Sequence, residues 1–318
     1  MNEVREHTFA NGLRILTREV HTSPIAAFFV WYRVGARNEG AGLSGASHWV
    51  EHMMFKRTER LAPGDVGRII EGVGGTFNAF TYEDATAYHA TLPAAHLDRA
   101  LEIESDRMIN AVFDPSDVDA ERSVIISERE GNEASPVFRL MEALEATAFT
   151  VHPYGHGVIG SKADLRSISR DDLYNHYKSY YAPNNAVVVA IGDFETTNLY
   201  QKLERCFGDL SATDLPPSLD VKEPPQEEAR RIEVRHVDPD LHDIAHRGPG
   251  RLELVGHTLE RRLGVRLQVG AASHLARHVD RLHAAILDGD DLCETTGRID
   301  ELRLYLRLHV CRFDRDPR

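Results

Sequence analysis

Residues 45–56 read GASHWVEHMMFK. The stretch predicts one helix, and it carries His48, Glu51 and His52. Each helical residue turns the chain by about 100°, so positions three and four apart lie on one face. Two imidazoles and one carboxylate therefore leave the same side within little more than one turn. His48 and His52 are spaced to share a single metal ion, and Glu51 stands beside it without having to be a ligand. A solvated polar face is the plainer alternative for so short a pattern. The neighbours argue against it: Trp49, Val50, Met53, Met54 and Phe55 are large and apolar, which predicts a helix buried on most sides. A buried polar trio needs partners, and a metal is the simplest one.

Upstream, HTFA, Asn11-Gly12 and LRILTREV read as a hairpin over 7–20 with a two-residue turn. IAAFFVWYRV at 25–34 is rich in β-branched and aromatic residues and reads as a central strand. Residues 35–44 form a glycine-rich connection into the motif helix. Downstream come a short helix at 65–71 and a strand pair at 77–81 and 87–92. Helices follow at 93–112, from 115 with its body at 119–130, at 136–149, and from Ser169 to about 180. A strand at 186–191 and a helix at 196–206 return the chain. Strands first, then helices, then one more strand and helix, make an α+β domain over 1–214. Residues 215–235, opening on LPPSLDVKEPPQEE, read as a proline-rich linker. From 236 to 318 the text changes: the last lysine is Lys222, and histidines recur without a pattern. Amphipathic helices can be drawn weakly at 252–267 and 272–287. The pair His274 and His278 has ligand spacing but no third ligand to go with it.

At 318 residues the chain is long enough for two domains, and its net charge of −13 argues against a nucleic-acid partner. The three cysteines are widely spaced, which gives neither a disulfide framework nor a thiolate metal site. The first residues lack a basic segment followed by an apolar one, so the expectation is a cytoplasmic protein without a signal peptide. No apolar run is long enough to span a bilayer.

A catalytic zinc usually has three protein ligands and one open position. Two histidines are in hand, and Glu121, Glu128, Glu130 and Glu133 all compete for the third place. Helix spacing does not choose between Glu121 and Glu128, which share a face.

Three motifs in order carry a resemblance: GASHWVEHMMFK, then VGGTFNAFTYEDATAYHATLP, then ERSVIISERE. Together with HPYGHGVIG and YYAPNNAVVVAIGDF, they make about residues 4–225 similar to the insulinase/pitrilysin zinc peptidases, of the H-x-x-E-H or inverzincin type. The branch resembled is that of mitochondrial processing peptidase and its bacterial relatives. The resemblance implies a half-domain of that type, a mixed and mostly antiparallel sheet packed by helices. It implies Zn2+ held by His48, His52 and Glu128, with Glu51 as the general base for a metal-activated water. It also places Asn78, Ala79 and Phe80 on a strand that binds an extended peptide or unfolded protein by strand addition. The family pairs two such halves around a chamber, and here the resemblance fades. Residues 231–234 fit the start of a second half, but the remainder does not match and is too short. The expectation is an incomplete, truncated or frame-shifted second half, with a second subunit or a homodimer as the partner that could complete it. Two readings follow: a zinc endopeptidase, or a non-catalytic partner subunit that still holds zinc. A metal-dependent small-molecule lyase with a similar motif fits less well, because no cysteine has a suitable context near the metal.

Overall fold

The computed structural model describes residues 3–227, 230 and 232. They fall into two units, one drawn from Met1–Arg129 and Gly157–Asp220, the other from Glu130–His156 and from Val221 onward. The expected second half at 236–318, the helices drawn at 252–267 and 272–287, and the His274–His278 pair lie outside the described residues. No helix among the described residues is long and apolar enough to cross a membrane.

The first unit is built on a sheet of six strands: β1 (Arg5–Thr8), β2 (Arg14–Glu19), β3 (Ile25–Tyr32), β4 (Thr76–Thr81), β5 (Thr86–Pro93) and β6 (Ala186–Gly192). Their order is β1-β2-β6-β3-β5-β4. Only β2 and β6 run parallel; every other pair is antiparallel. The mixed, mostly antiparallel α+β architecture expected from the sequence is therefore present. Strand β3 shows why it sits centrally. Ala26, Phe28, Val30 and Tyr32 are fully buried on one face, while Ala27, Phe29 and Trp31 are half-buried on the other. Each large apolar side chain buried this way stabilises the fold by about 1.5–3 kcal/mol relative to exposure.

Among the described residues, seven helices accompany this sheet: α1 (Ala46–Met53), α2 (Asp65–Glu71), α3 (Leu97–Asn110), α4 (Pro115–Glu133), α6 (Lys162–Ser167), α7 (Arg170–Tyr180) and α8 (Thr196–Phe207), with α4 counted in this unit up to Arg129. The other unit contains α5 (Pro136–Ala148). In it, Glu223 of the expected linker accepts hydrogen bonds from the backbone N–H groups of Thr150, Val151 and His152 and from the Thr150 hydroxyl, at 2.6–2.9 Å. Those donors outweigh the upward push of burial and hold the Glu223 carboxyl at about 2.

Three local expectations change. The hairpin forms, but its first strand is Arg5–Thr8 rather than 7–10, and the connection is not a two-residue Asn-Gly turn: Phe9 N–H bonds Leu13 O at 2.9 Å across a longer loop. Asn11 instead donates to Phe207 O at 2.7 Å and Leu210 O at 3.0 Å, so a tertiary tie to the end of α8 decides the loop. Residues 93–112 are not one helix. Pro93 pairs with Ile25 as the last residue of β5, and a 3-10 turn at Ala94–His96 precedes α3. Helix α6 lies where the sequence predicts no element, and it is capped by the Ser161 hydroxyl accepting from Asp164 N–H at 3.1 Å.

Candidate metal centre

Helix α1 begins where only glycine fits. Gly45 has φ +94°, and a Cβ there would meet Ile159 O at 2.6 Å. One side of α1 buries Ala46, Trp49, Val50 and Met53 completely or nearly so. Helix α1 packs against α7, β4 and β5, and its two histidines face α4. Helix α4 answers with carboxylates one and three turns along from Asp117. Asp117 pairs with Arg57 at 2.5 and 3.0 Å. Glu121 reaches His52 and Lys56. Glu128 reaches the outer nitrogens of both motif histidines. Between them Ile125 is fully buried, and the Arg122 guanidinium lies 4.6 Å over the Trp49 ring. Ion pairs and an aromatic stack thus fix the register of α4 on α1.

The result is a compact donor set. His48 Nε2 and His52 Nε2 are 3.2 Å apart. Glu128 Oε1 lies 3.9 Å from His48 Nε2, and Oε2 lies 3.7 Å from His52 Nε2. Two ligands at ordinary zinc–nitrogen distances in a tetrahedral arrangement sit ~3.3 Å apart, which matches the histidine pair. The Glu128 side chain is 41% exposed and free to close the few tenths of an ångström that remain. Among the described residues, this is the one group of three His, Cys, Asp or Glu side chains with ligand atoms converging within 4.8 Å. Glu130 and Glu133 do not join it. The donor set therefore fits a divalent metal with mixed nitrogen and oxygen ligands.

Glu121 has a different place from Glu128. Its Oε1 accepts from His52 Nδ1 at 2.9 Å, and its other oxygen takes the Lys56 ammonium. A carboxylate on the far nitrogen sets the tautomer and tilt of a metal-binding imidazole, so Nε2 of His52 is left to face the cluster. His48 lacks such a partner: its Nδ1 is buried without a hydrogen bond. The two rings titrate in opposite directions. Burial, helped by the neighbouring His52, lowers His48 to about 4. For His52 burial also pulls down, but the Glu121 bond and the charges of Glu121, Glu128 and Glu51 outweigh it, and its pKa rises.

Glu51 points past the cluster. It is 8% exposed and accepts from the Thr81 hydroxyl at 2.5 Å. Burial raises its pKa, against the pull of Thr81 and His52. Thr81 ends β4, the edge strand of the sheet among the described residues, so the line of that edge runs to Glu51. Asn78, Ala79 and Phe80 lie on β4; Asn78 is exposed, and Ala79 and Phe80 are half-buried. The Asn78 side-chain oxygen accepts from Ala79 N–H at 2.9 Å. The Phe80 ring meets Trp31 edge-on at 5.3 Å. Sequence reasoning missed Thr81, which carried no signal beyond its strand position. It weighed Glu121 only as a ligand, although its place one turn after Asp117 and two before Glu128 was the available clue.

Residues 14–162 match the family model for insulinase (peptidase family M16), and residues 167–251 match that for the peptidase M16 inactive domain. The chain is 31% identical over 239 residues to a probable mitochondrial-processing peptidase subunit beta of Arabidopsis thaliana, covering 75% of this chain and 45% of that protein. It is 30% identical over 257 residues to a zinc protease of Streptomyces coelicolor, covering 81% of this chain and 52% of that one. The crystal structure of a protease from Helicobacter pylori aligns with a TM-score of 0.70 at 31% identity, covering 72% of this chain and 56% of that chain. The chain spans about half the length of these relatives.

Proposed function

The chain belongs to the insulinase family of peptidases (peptidase family M16), and from that premise we propose that it is a zinc-dependent endopeptidase acting on extended peptides. One observation carries the reading: His48, His52 and Glu128 converge on one point while Glu51 stands beside it and outside the ligand set. Zinc held by His48, His52 and Glu128 would supply Lewis acidity, acidifying a water and stabilising the negative charge that builds on the carbonyl oxygen. Glu51 takes the proton from the attacking water and hands it to the leaving amine. Thr81 holds Glu51 in place by donating to one oxygen and leaving the other open. An incoming peptide adds to the edge of β4, displacing the Asn78 side chain from Ala79 N–H, so that its scissile bond comes to rest beside Glu51. The peptidase half is placed at 1–214 and the linker at 215–235, and the substrate is a peptide or an unfolded protein. A second subunit or a second copy of the chain completes the enclosure.

The test is zinc analysis together with cleavage of an unstructured peptide, with and without a chelator. Stoichiometric zinc and chelator-sensitive cleavage are expected. Protein without zinc overturns the reading. Zinc without cleavage would favour the other one, a zinc-holding partner subunit, for which the likeness to one subunit of a processing peptidase is the motive.

Two further outcomes follow from the site. Glu121→Gln replaces an acceptor on His52 Nδ1 with a group that bonds it less strongly and frees Lys56. Zinc affinity is expected to fall about 10–100-fold, read by competition with a chelating dye; an unchanged affinity would remove Glu121 from the site. The second concerns pH. His52 must shed its Nε2 proton to bind metal, and its pKa is raised. Zinc affinity should therefore fall as pH falls through that raised value, by about tenfold per pH unit for the one proton displaced. His48, lowered to about 4, is already neutral there and adds no slope. Dissociation constants measured between pH 8 and pH 5.5 check this, and a flat profile contradicts it.

A further inference from the structure

The two metal-facing imidazoles are not held alike. His52 is fixed by Glu121 through its far nitrogen, but the far nitrogen of His48 has no hydrogen bond. The aim of the His48 ring therefore depends on its backbone. His48 is the third residue of α1, a helix of only eight residues, so it sits in the first turn. First-turn N–H groups have no partners within a helix and need an acceptor from elsewhere. The usual source is the side chain of the capping residue, and here that residue is Gly45, which has none.

Glu39 fills the place from outside the helix. Its Oε2 accepts from Gly45 N–H at 2.8 Å and its Oε1 from Ser47 N–H at 2.7 Å. Each of the two oxygens serves as the acceptor for one donor, and burial pushes the Glu39 carboxyl up to about 8 against the downward pull of those N–H groups. Neighbouring groups reinforce the clamp. The Ser47 hydroxyl, buried at 1% exposure, lies 3.1 Å from Nε2 of His176 on α7. Burial holds His176 neutral, with a pKa of about 4. Asp164 takes the N–H and hydroxyl of Ser44, one residue before the cap. Catalysis as described above makes no use of Glu39.

We infer that Glu39 is a positioning residue of the metal centre: it caps α1 from outside and thereby sets the aim of His48. The inference rests on the zinc reading above. It is tested with the full chain by measuring zinc affinity and the visible spectrum of the Co2+-substituted protein. Glu39→Gln keeps the shape but turns an N–H toward one of the two donors. It is expected to lose about 10–100-fold in zinc affinity and to show shifted, weakened Co2+ bands. Glu39→Asp keeps the two carboxyl oxygens, reaches less far and should fall between, so it decides the matter if the Gln variant does not fold. Leu203→Ala, in the buried face of α8, serves as a control for general loosening. It should lower the melting temperature and leave affinity and spectrum as in wild type. Wild-type affinity and spectrum in both Glu39 variants would overturn the inference alone, as would an equal loss in Leu203→Ala. Wild-type protein that takes up no zinc or Co2+ would overturn it together with the function proposed.

Discussion

Glu51→Gln should leave zinc content at the wild-type level and cut peptide hydrolysis by about 10²–10⁴-fold, the range of a general base. The geometry makes this a clean substitution. Glu51 lies outside the converging ligand atoms, so the metal loses no donor. Glutamine has the same size, and its carbonyl still accepts from Thr81, so the buried pocket around the end of β4 stays filled and satisfied. What disappears is a group able to take a proton. The pH profile carries the same signature. Burial raises the Glu51 pKa above the ordinary carboxylate value, so its basic form is lost earlier as pH falls than for a surface glutamate. With zinc kept saturating, the acid limb of kcat/KM should accordingly lie above pH 4.5 and be absent from the residual activity of the variant. Zinc analysis beside initial rates on one peptide reads both outcomes. Equal rates would remove Glu51 as the base, and lost zinc would make it a ligand.

Much of this site was legible because it depends on local periodicity. The apolar stripe Trp49, Val50 and Met53 and the polar positions 48, 51 and 52 follow from helical geometry alone, and α1 forms there, ending at Met53 rather than running to Lys56. The central strand was legible from composition instead, through the β-branched and aromatic residues of 25–34 that become β3. What periodicity could not supply was anything set by a second element. Asn11 does not form the two-residue turn because the end of α8 and the residues after it offer three backbone carbonyls within its reach. Glu121 and Glu128 share a helix face, and only the docking of α4 on α1 gives one the inner nitrogen of His52 and the other its outer nitrogen. Glu39 was hidden by the same limit, lying in a glycine-rich connection whose use appears only once Gly45 is seen to lack a cap.

Glu128→Gln should separate the two glutamates of α4 by the size and kind of the loss. An amide oxygen is a far weaker zinc donor than a carboxylate. Apparent zinc free energies of about 10–16 kcal/mol shared over four ligands imply roughly 10²–10³-fold in affinity for removing one. Stability without metal should hardly change, because the side chain is 41% exposed and makes its polar contacts at the solvent edge; surface changes of this kind fall within about 0.5 kcal/mol. Glu121→Gln ought to behave in the opposite proportion. Its side chain is 7% exposed and ties both His52 and Lys56 to α4, so it should cost more in folding and less in metal. Thermal melts of chelator-treated protein, set beside zinc titrations, place each variant on these two axes. If Glu128→Gln kept wild-type affinity while Glu121→Gln abolished binding, the roles would be exchanged. The carboxylate now seen bracing His52 would then be the ligand, with the ring turned to present its other nitrogen.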